Sequence, residues 1–301
     1  MANRWWTYQR TRFPILAHGP LIAVFSLSSL TVSSVMRGRV AFLHASTALV
    51  AFTTAFLFFL QLRIADEFKD YEDDSRYRPY RPVPRGLVTL RELGMIGVAA
   101  AFVQLGLTLW IEPSLVVLLL AVWLYLGLMT REFFVRDWLK AHPFTYLWSH
   151  MLIMPLIVLY TTGCDWAVAG TTPPRGLIWF LLASLFNGIV IEIGRKIRAP
   201  EDEEPGVETY TVLWGRNAAV LAWLGAMVLG AAAALRAAER MGTAMPVAGL
   251  LVLLLCTAAA GAWRFLRSPL TERARLFEPL SGLWTSLLYL ALGAAPMLLE
   301  V

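Results

Sequence analysis

What most constrains the fold of this chain is where its charges are missing. Residues 13–36, 40–62, 93–111, 113–130, 141–164, 176–191, 217–235, 241–263 and 279–299 contain no Asp, Glu, Lys or Arg. Most of these runs are near the roughly 20 residues with which a helix crosses the hydrocarbon core of a bilayer. They predict an all-α membrane protein, a bundle of nine transmembrane helices forming a single integral-membrane domain over 1–301. Between 93 and 130 the apolar character is broken only by Glu112-Pro113, at about twice the length of one span, so a tight hairpin is expected there. The first run is too long for a signal peptide, and the rest of the chain is equally apolar. With 58% hydrophobic and 16% charged residues, an ordinary soluble domain is excluded.

An odd number of spans puts the termini on opposite sides. Of the 26 Lys and Arg residues, 21 fall in the N-terminal tail and in the connections after spans two, four, six and eight; the other five are Arg37, Arg39, Arg175, Arg236 and Arg240. The positive-inside tendency then places the N-terminus in the cytoplasm and the C-terminus outside. Membrane orientation accounts for the net charge of +5 without any nucleic-acid partner. Cys164 and Cys256 form no metal pattern and offer no sign of a disulfide.

The polar chemistry gathers in three connections expected on the cytoplasmic side: 63–93, 130–143 and 192–217. The first opens with DEFKDYEDD, residues 66 to 74, in which Asp66, Asp70 and Asp74 recur at four-residue intervals. On a helix continuing from span two this spacing lines up three carboxylates on one face. Such a face is either a solvated helix end with Lys69 as counter-ion, or a place where hard cations such as Mg²⁺ sit between the acids. Arg76, Arg78, Arg81, Arg85 and Arg91 follow closely. Acids beside guanidinium forks suit a ligand with several anionic oxygens, such as a diphosphate, although some of these arginines serve headgroups. The third connection repeats the order: Glu192 closes span six, Arg195, Lys196 and Arg198 follow, and then Pro200 and the acids 201–204. The offset suggests two similar four-helix halves plus one span, with acidic ends facing each other. In the second connection Arg131 and Lys140 are candidates for a further phosphate contact, or for interfacial anchoring beside Phe133, Phe134 and Trp138.

DEFKDYEDD followed by RPYRPVPRG resembles the UbiA superfamily of intramembrane prenyltransferases, whose first acidic motif reads N-D-x-x-D-x-x-x-D and precedes an R-P-x-x-x-G loop. Asp66, Glu67, Asp70 and Asp74 stand at the four motif positions, and Arg81 to Gly86 match the loop. The second motif, D-x-x-x-D, stands here as Glu192-x-x-x-Lys196, a cation in the place of its second acid. Either Lys196 is a built-in positive charge for the diphosphate, or one of the acids 201–204 supplies the missing ligand. The resemblance implies a catalytic set of Asp66, Asp70, Asp74, Glu192 and Lys196, with Mg²⁺ on Asp66, Glu67, Asp70, Asp74, Glu192 and Asp202. Arg81, Arg131, Lys140, Arg195, Lys196 and Arg198 would hold the diphosphate. It further implies an isoprenoid diphosphate as substrate, ionised within the bilayer, and transfer of its prenyl group to a lipophilic acceptor. The altered second motif keeps a membrane terpene cyclase in view, in which the cation attacks its own double bonds. A cation transporter fits less well, because transport sites lie near the midplane whereas these acids lie at span ends. Tyr125, Phe133, Tyr146, Trp148 and Phe186 are candidates to stabilise an allylic cation, and Asn187 and His150 to handle an acceptor; His150 is otherwise a packed, hydrogen-bonded histidine.

Overall fold

A computed structural model describes residues 3–39 and 44–299, so the first four residues of the run at 40–62 lie outside the described residues. Among the described residues there are helices and turns and no strand. Nine helices among the described residues are long and apolar enough to cross a membrane: Ile15–Met36, Ala45–Lys69, Leu90–Ile111, Pro113–Thr130, Pro143–Trp166, Leu177–Gly194, Arg216–Arg240, Ala244–Arg267 and Thr271–Leu298. They are numbered here as spans one to nine. Each contains one of the charge-free runs or most of it, because only a helix pairs all its backbone groups within the segment.

Spans one, five, six and nine form the middle of the bundle. Span one packs on spans two, five and nine, and span six packs on spans five, seven and nine. In its most apolar stretch span six is 67% buried, whereas span three, at the periphery, is 17% buried. That contrast identifies which helix ends can frame an interior site.

Local chemistry sets the ends. Span three starts on a capping box, in which Thr89 accepts from the Glu92 backbone N–H at 3.2 Å and the Glu92 carboxylate accepts from the Thr89 backbone N–H at 2.9 Å. At the expected hairpin the chain turns at Glu112, which is extended and accepts from the Ser114 backbone N–H at 3.1 Å, and Pro113 opens the next helical turn. Span five is interrupted at Leu152, between helices Pro143–Met151 and Ile153–Trp166. Arg37 clamps Asp165 with two hydrogen bonds of 2.6 and 2.9 Å, joining spans one and five at the end of the bundle remote from Asp66.

Span six approaches span nine through Gly194. A Cβ there would lie 2.0 Å from Ser281 Oγ and 3.1 Å from the Phe277 carbonyl oxygen. Gly194→Ala is therefore expected to force the two spans apart, at a cost of about 1–3 kcal/mol. Thermal unfolding of the detergent-purified variant checks this; an unchanged midpoint would show that Ser281 simply rotates away.

A short helix, Arg4–Arg12, precedes span one and packs against the acid-bearing end of span two. Tyr8 is buried there against Ile64, Val83, Val88 and Leu93. Nothing in the charge-free runs signals this helix, since its own residues are mainly polar and basic.

Candidate active site

The acidic segment does not continue span two as one straight helix. Span two ends at Lys69, Asp70 takes φ −94° and ψ 4°, and a second helix runs over Tyr71–Tyr77. The i, i+4, i+8 alignment expected of a single helix is thus broken at its middle member, and the acids divide into two sets.

Glu67 and Asp74 turn inward and are 2% and 1% exposed. Each takes arginine partners. Arg12 Nε donates to Glu67 Oε1 at 2.5 Å, and Arg63 lies 3.4 Å from the same oxygen. Arg81 donates to Asp74 Oδ2 at 2.5 Å, with Arg78 at 3.4 Å and Arg12 at 3.8 Å completing the group. The Arg-Pro loop is therefore folded back onto Asp74, helped by turns closing from the Arg85 N–H to the Arg81 carbonyl and from the Leu87 N–H to that of Pro82.

Asp66 and Asp70 are the open pair. Asp66 makes two loose ion pairs, to Lys69 at 3.6 Å and Arg63 at 3.7 Å, and its side chain is 36% exposed. Asp70 has no ion pair or side-chain hydrogen bond among the described residues. Burial pushes its carboxyl above the usual carboxylate range, and the like charges of Asp66 and Asp74 add to the rise.

Glu192, at the end of span six, is close enough to Asp66 for their charges to interact. It is already neutralised. Both Arg195 Nε, at 2.7 Å, and Arg195 Nη2 donate to Oε2, and Lys196 Nζ lies 2.9 Å from Oε1. The Glu192 carboxylate in turn strengthens the hold of Arg195 on its proton. Lys196 also stands over the Tyr210 ring at 5.6 Å, and burial raises the pKa of that phenol.

The acids downstream are occupied elsewhere. Glu201 accepts from the Thr271 backbone and hydroxyl, at 3.1 and 2.5 Å. Glu203 accepts from Thr209 and Thr211, and Glu204 from Tyr80 at 3.3 Å. Asp202 makes no ion pair among the described residues. Gly206, at φ +77°, lets the Tyr77 ring lie where a Cβ would stand, which brings the first and third loops together. Lys140 pairs with Asp73 at 3.2 Å, while Arg131 and Arg198 are exposed and no contact links them to Asp66.

Sequence reasoning missed Arg12, Arg63 and the role of Tyr146. Lys69 donates to the Tyr146 hydroxyl at 2.8 Å, and Tyr146 reaches Glu132 at 3.5 Å. Glu132 is 4% exposed and sits in a turn where Glu132, Phe133 and Phe134 all have positive φ, at 46°, 53° and 62°. Such backbone is rare for residues with a Cβ. From there an aromatic wall rises between spans four and five: Tyr125 on Phe133 at 5.5 Å, Phe133 on His150 at 5.9 Å, and Tyr146 stacked on His150 at 4.0 Å. Trp148 meets Phe186 of span six at 5.8 Å. His150 Nδ1 lies 2.8 Å from the Tyr146 carbonyl oxygen, which can only accept. In the neutral ring the lone pair is therefore on Nε2, which is buried without a partner among the described residues.

No three His, Cys, Asp or Glu side chains among the described residues converge to hold a metal ion by themselves. Magnesium is usually bound by one or two carboxylates together with substrate phosphates, and the open pair Asp66 and Asp70 fits that requirement. Glu192, with two cations upon it, does not.

Comparison with known proteins adds a family. The model for the UbiA prenyltransferase family matches residues 43–288. No curated protein matches the sequence. Among solved structures, an apo UbiA homologue from Aeropyrum pernix K1 is similar with a TM-score of 0.68 at 13% identity, over 93% of this chain and 98% of that one. A structure of digeranylgeranylglyceryl phosphate synthase gives 0.61 at 16% identity, over 98% and 99%. A UbiA homologue from Archaeoglobus fulgidus bound to DMAPP and Mg²⁺ gives 0.54 at 12% identity, over 95% and 99%. At these identities the likeness is one of fold.

Proposed function

This chain belongs to the UbiA prenyltransferase family, and we propose that it ionises an isoprenoid diphosphate within the membrane and transfers the prenyl group to a lipophilic acceptor. The observation that carries this reading is that Asp66, one helical turn before the open carboxylate Asp70, lies within electrostatic reach of Glu192 and Arg195 at the cationic end of span six, at one end of an apolar bundle. An isoprenoid tail suits the apolar interior, and a diphosphate suits the junction of acids and guanidinium groups. A similar fold holds DMAPP and Mg²⁺ in the Archaeoglobus fulgidus homologue.

Asp66 and Asp70 would hold magnesium, which supplies neutralisation of the diphosphate oxygens when bound. Arg195 and Lys196 would lie against the same oxygens. Heterolysis of the allylic C–O bond sends its electron pair to the departing diphosphate and leaves an allylic cation. The face of Phe133 would stabilise that cation by about 2 kcal/mol in a dry site, whereas the Tyr146 ring is already stacked on His150 and overlain by the Lys69 ammonium. An electron pair of the acceptor then forms the new bond to carbon, and the acceptor loses a proton. His150 Nε2, fixed as a bare lone pair by the Tyr146 carbonyl, is suited to take it.

The test is incubation of the purified protein with geranyl, farnesyl and geranylgeranyl diphosphates and Mg²⁺, with and without a membrane lipid extract. Diphosphate release that requires the extract is the expected outcome. Release without an acceptor, with a hydrocarbon or alcohol as product, would replace transfer by cyclisation, and no release would sink both. The proposed orientation has its own check. A tag at Val301 should be labelled from outside intact cells, and labelling only after permeabilisation would reverse it.

A further inference from the structure

The two ends of the candidate site are built from different chemistry. On the span-two side stand two carboxylates, Asp66 and Asp70, that accept no side-chain hydrogen bond among the described residues, Asp66 keeping only loose ion pairs to Lys69 and Arg63. On the span-six side stands one carboxylate whose two oxygens are both taken, Oε2 by Arg195 and Oε1 by Lys196. These three groups carry one net positive charge, two cations against one anion. A divalent cation arriving at Glu192 would face an ammonium and a guanidinium at hydrogen-bonding distance from that carboxylate, and like charges so placed repel strongly. Of the acids 201–204, Glu201 is committed to Thr271, Glu203 to Thr209 and Thr211, and Glu204 to Tyr80; Asp202 alone has no side-chain partner among the described residues, and as a single carboxylate it does not offset the two cations held on Glu192.

The same cations remain available to an anion. The side chains of Arg195 and Lys196 are 42% and 34% exposed, so each keeps donors free while one edge is held by Glu192. Glu192 and the Tyr210 ring fix the Lys196 ammonium from two directions. An ammonium held in this way provides a positive point charge whether or not any metal is in solution.

We propose that the span-six half of the site binds diphosphate without a metal ion. Arg195 and Lys196, oriented by Glu192, replace a second divalent cation, and the site takes one such ion, on Asp66 and Asp70, per diphosphate. This rests on the reading of the site as a prenyl diphosphate site and deepens it. The consequence is a fixed stoichiometry and an anion-binding half that works in the presence of chelator.

The experiment uses the full-length protein in lipid nanodiscs, with Mn²⁺ standing for Mg²⁺ and inorganic pyrophosphate as the anion. Bound Mn²⁺ is counted by electron paramagnetic resonance, which also distinguishes an isolated ion from a coupled pair. The expected result for the wild type is one isolated ion per chain in the presence of pyrophosphate. Lys196→Asp, which frees Glu192 Oε1 and adds an acid one turn away, should bind two coupled ions. Lys196→Met keeps the count at one and, in EDTA, weakens pyrophosphate binding about ten- to hundredfold, the loss expected for one charged hydrogen bond. Two coupled ions in the wild type, or undiminished pyrophosphate binding by Lys196→Met in EDTA, would overturn the proposal while leaving the prenyl diphosphate reading intact. Absence of any pyrophosphate-dependent Mn²⁺ would overturn both.

Discussion

Replacing Asp70 by alanine is expected to lower Mg²⁺-dependent release of diphosphate from a prenyl diphosphate by about a thousandfold, a loss typical of removing one electrostatic contact to the developing charge. The folded bundle should be unaffected. Asp70 makes no ion pair or side-chain hydrogen bond among the described residues, so its removal leaves no buried partner uncompensated. Thermal unfolding of the purified variant, measured beside the release assay, separates the two effects. Asp74→Ala is the informative contrast, because Asp74 is 1% exposed and anchors Arg81, Arg78 and Arg12. Its loss should lower the unfolding midpoint as well as the rate. Asp70→Ala with wild-type turnover would remove Asp70 from the proposed metal site.

The second large effect is expected at Arg12, which lies before the segment matched by the family model. Its side chain is 8% exposed and donates to Glu67, which is 1% exposed at the side chain. Arg12→Met leaves that carboxylate, among the described residues, with only the longer contact to Arg63, at 3.4 Å. Breaking one side of a buried ion pair costs about 3–5 kcal/mol, a large part of the stability of most folded domains. The double variant Arg12→Met, Glu67→Gln removes both charges and should recover much of the lost thermal stability. Equal destabilisation in the single and double variants would mean that Arg12 acts through packing of its aliphatic stem and not through its charge.

Much of this was legible in the sequence, and the boundary has a physical cause. Span positions follow from runs without charge, because excluding ionised groups from hydrocarbon is a local requirement that every residue of the run must meet. The acids at 66–74 and Glu192 were visible as charges at span ends, and Lys196 as a cation where an acid was expected. Which of those acids stay open was not visible. Spacing assigned Asp66, Asp70 and Asp74 one role, but the turn at Asp70 gives Asp74 to the arginines. The partners that decide the matter come from far along the chain: Arg12 for Glu67, and Tyr146 for Lys69. The Arg4–Arg12 helix escaped because its stability comes from docking on the end of span two and not from its own hydrophobicity.

The turn at Glu132, Phe133 and Phe134 bears on how the protein could be made more robust. Left-handed backbone costs roughly 1–2 kcal/mol for each residue bearing a Cβ, so three in succession are an expense that ordinary loop sequences avoid. Glu132 is held inside by Arg136 and Tyr146, but Phe134 is 77% exposed. Phe134 is thus the one member of the trio whose strain could be relieved without disturbing a buried contact. Directed improvement of thermal tolerance would find its cheapest gain there, in a glycine or asparagine at 134, while Glu132 and Phe133 mark where conformational ease has been traded for the position of a side chain.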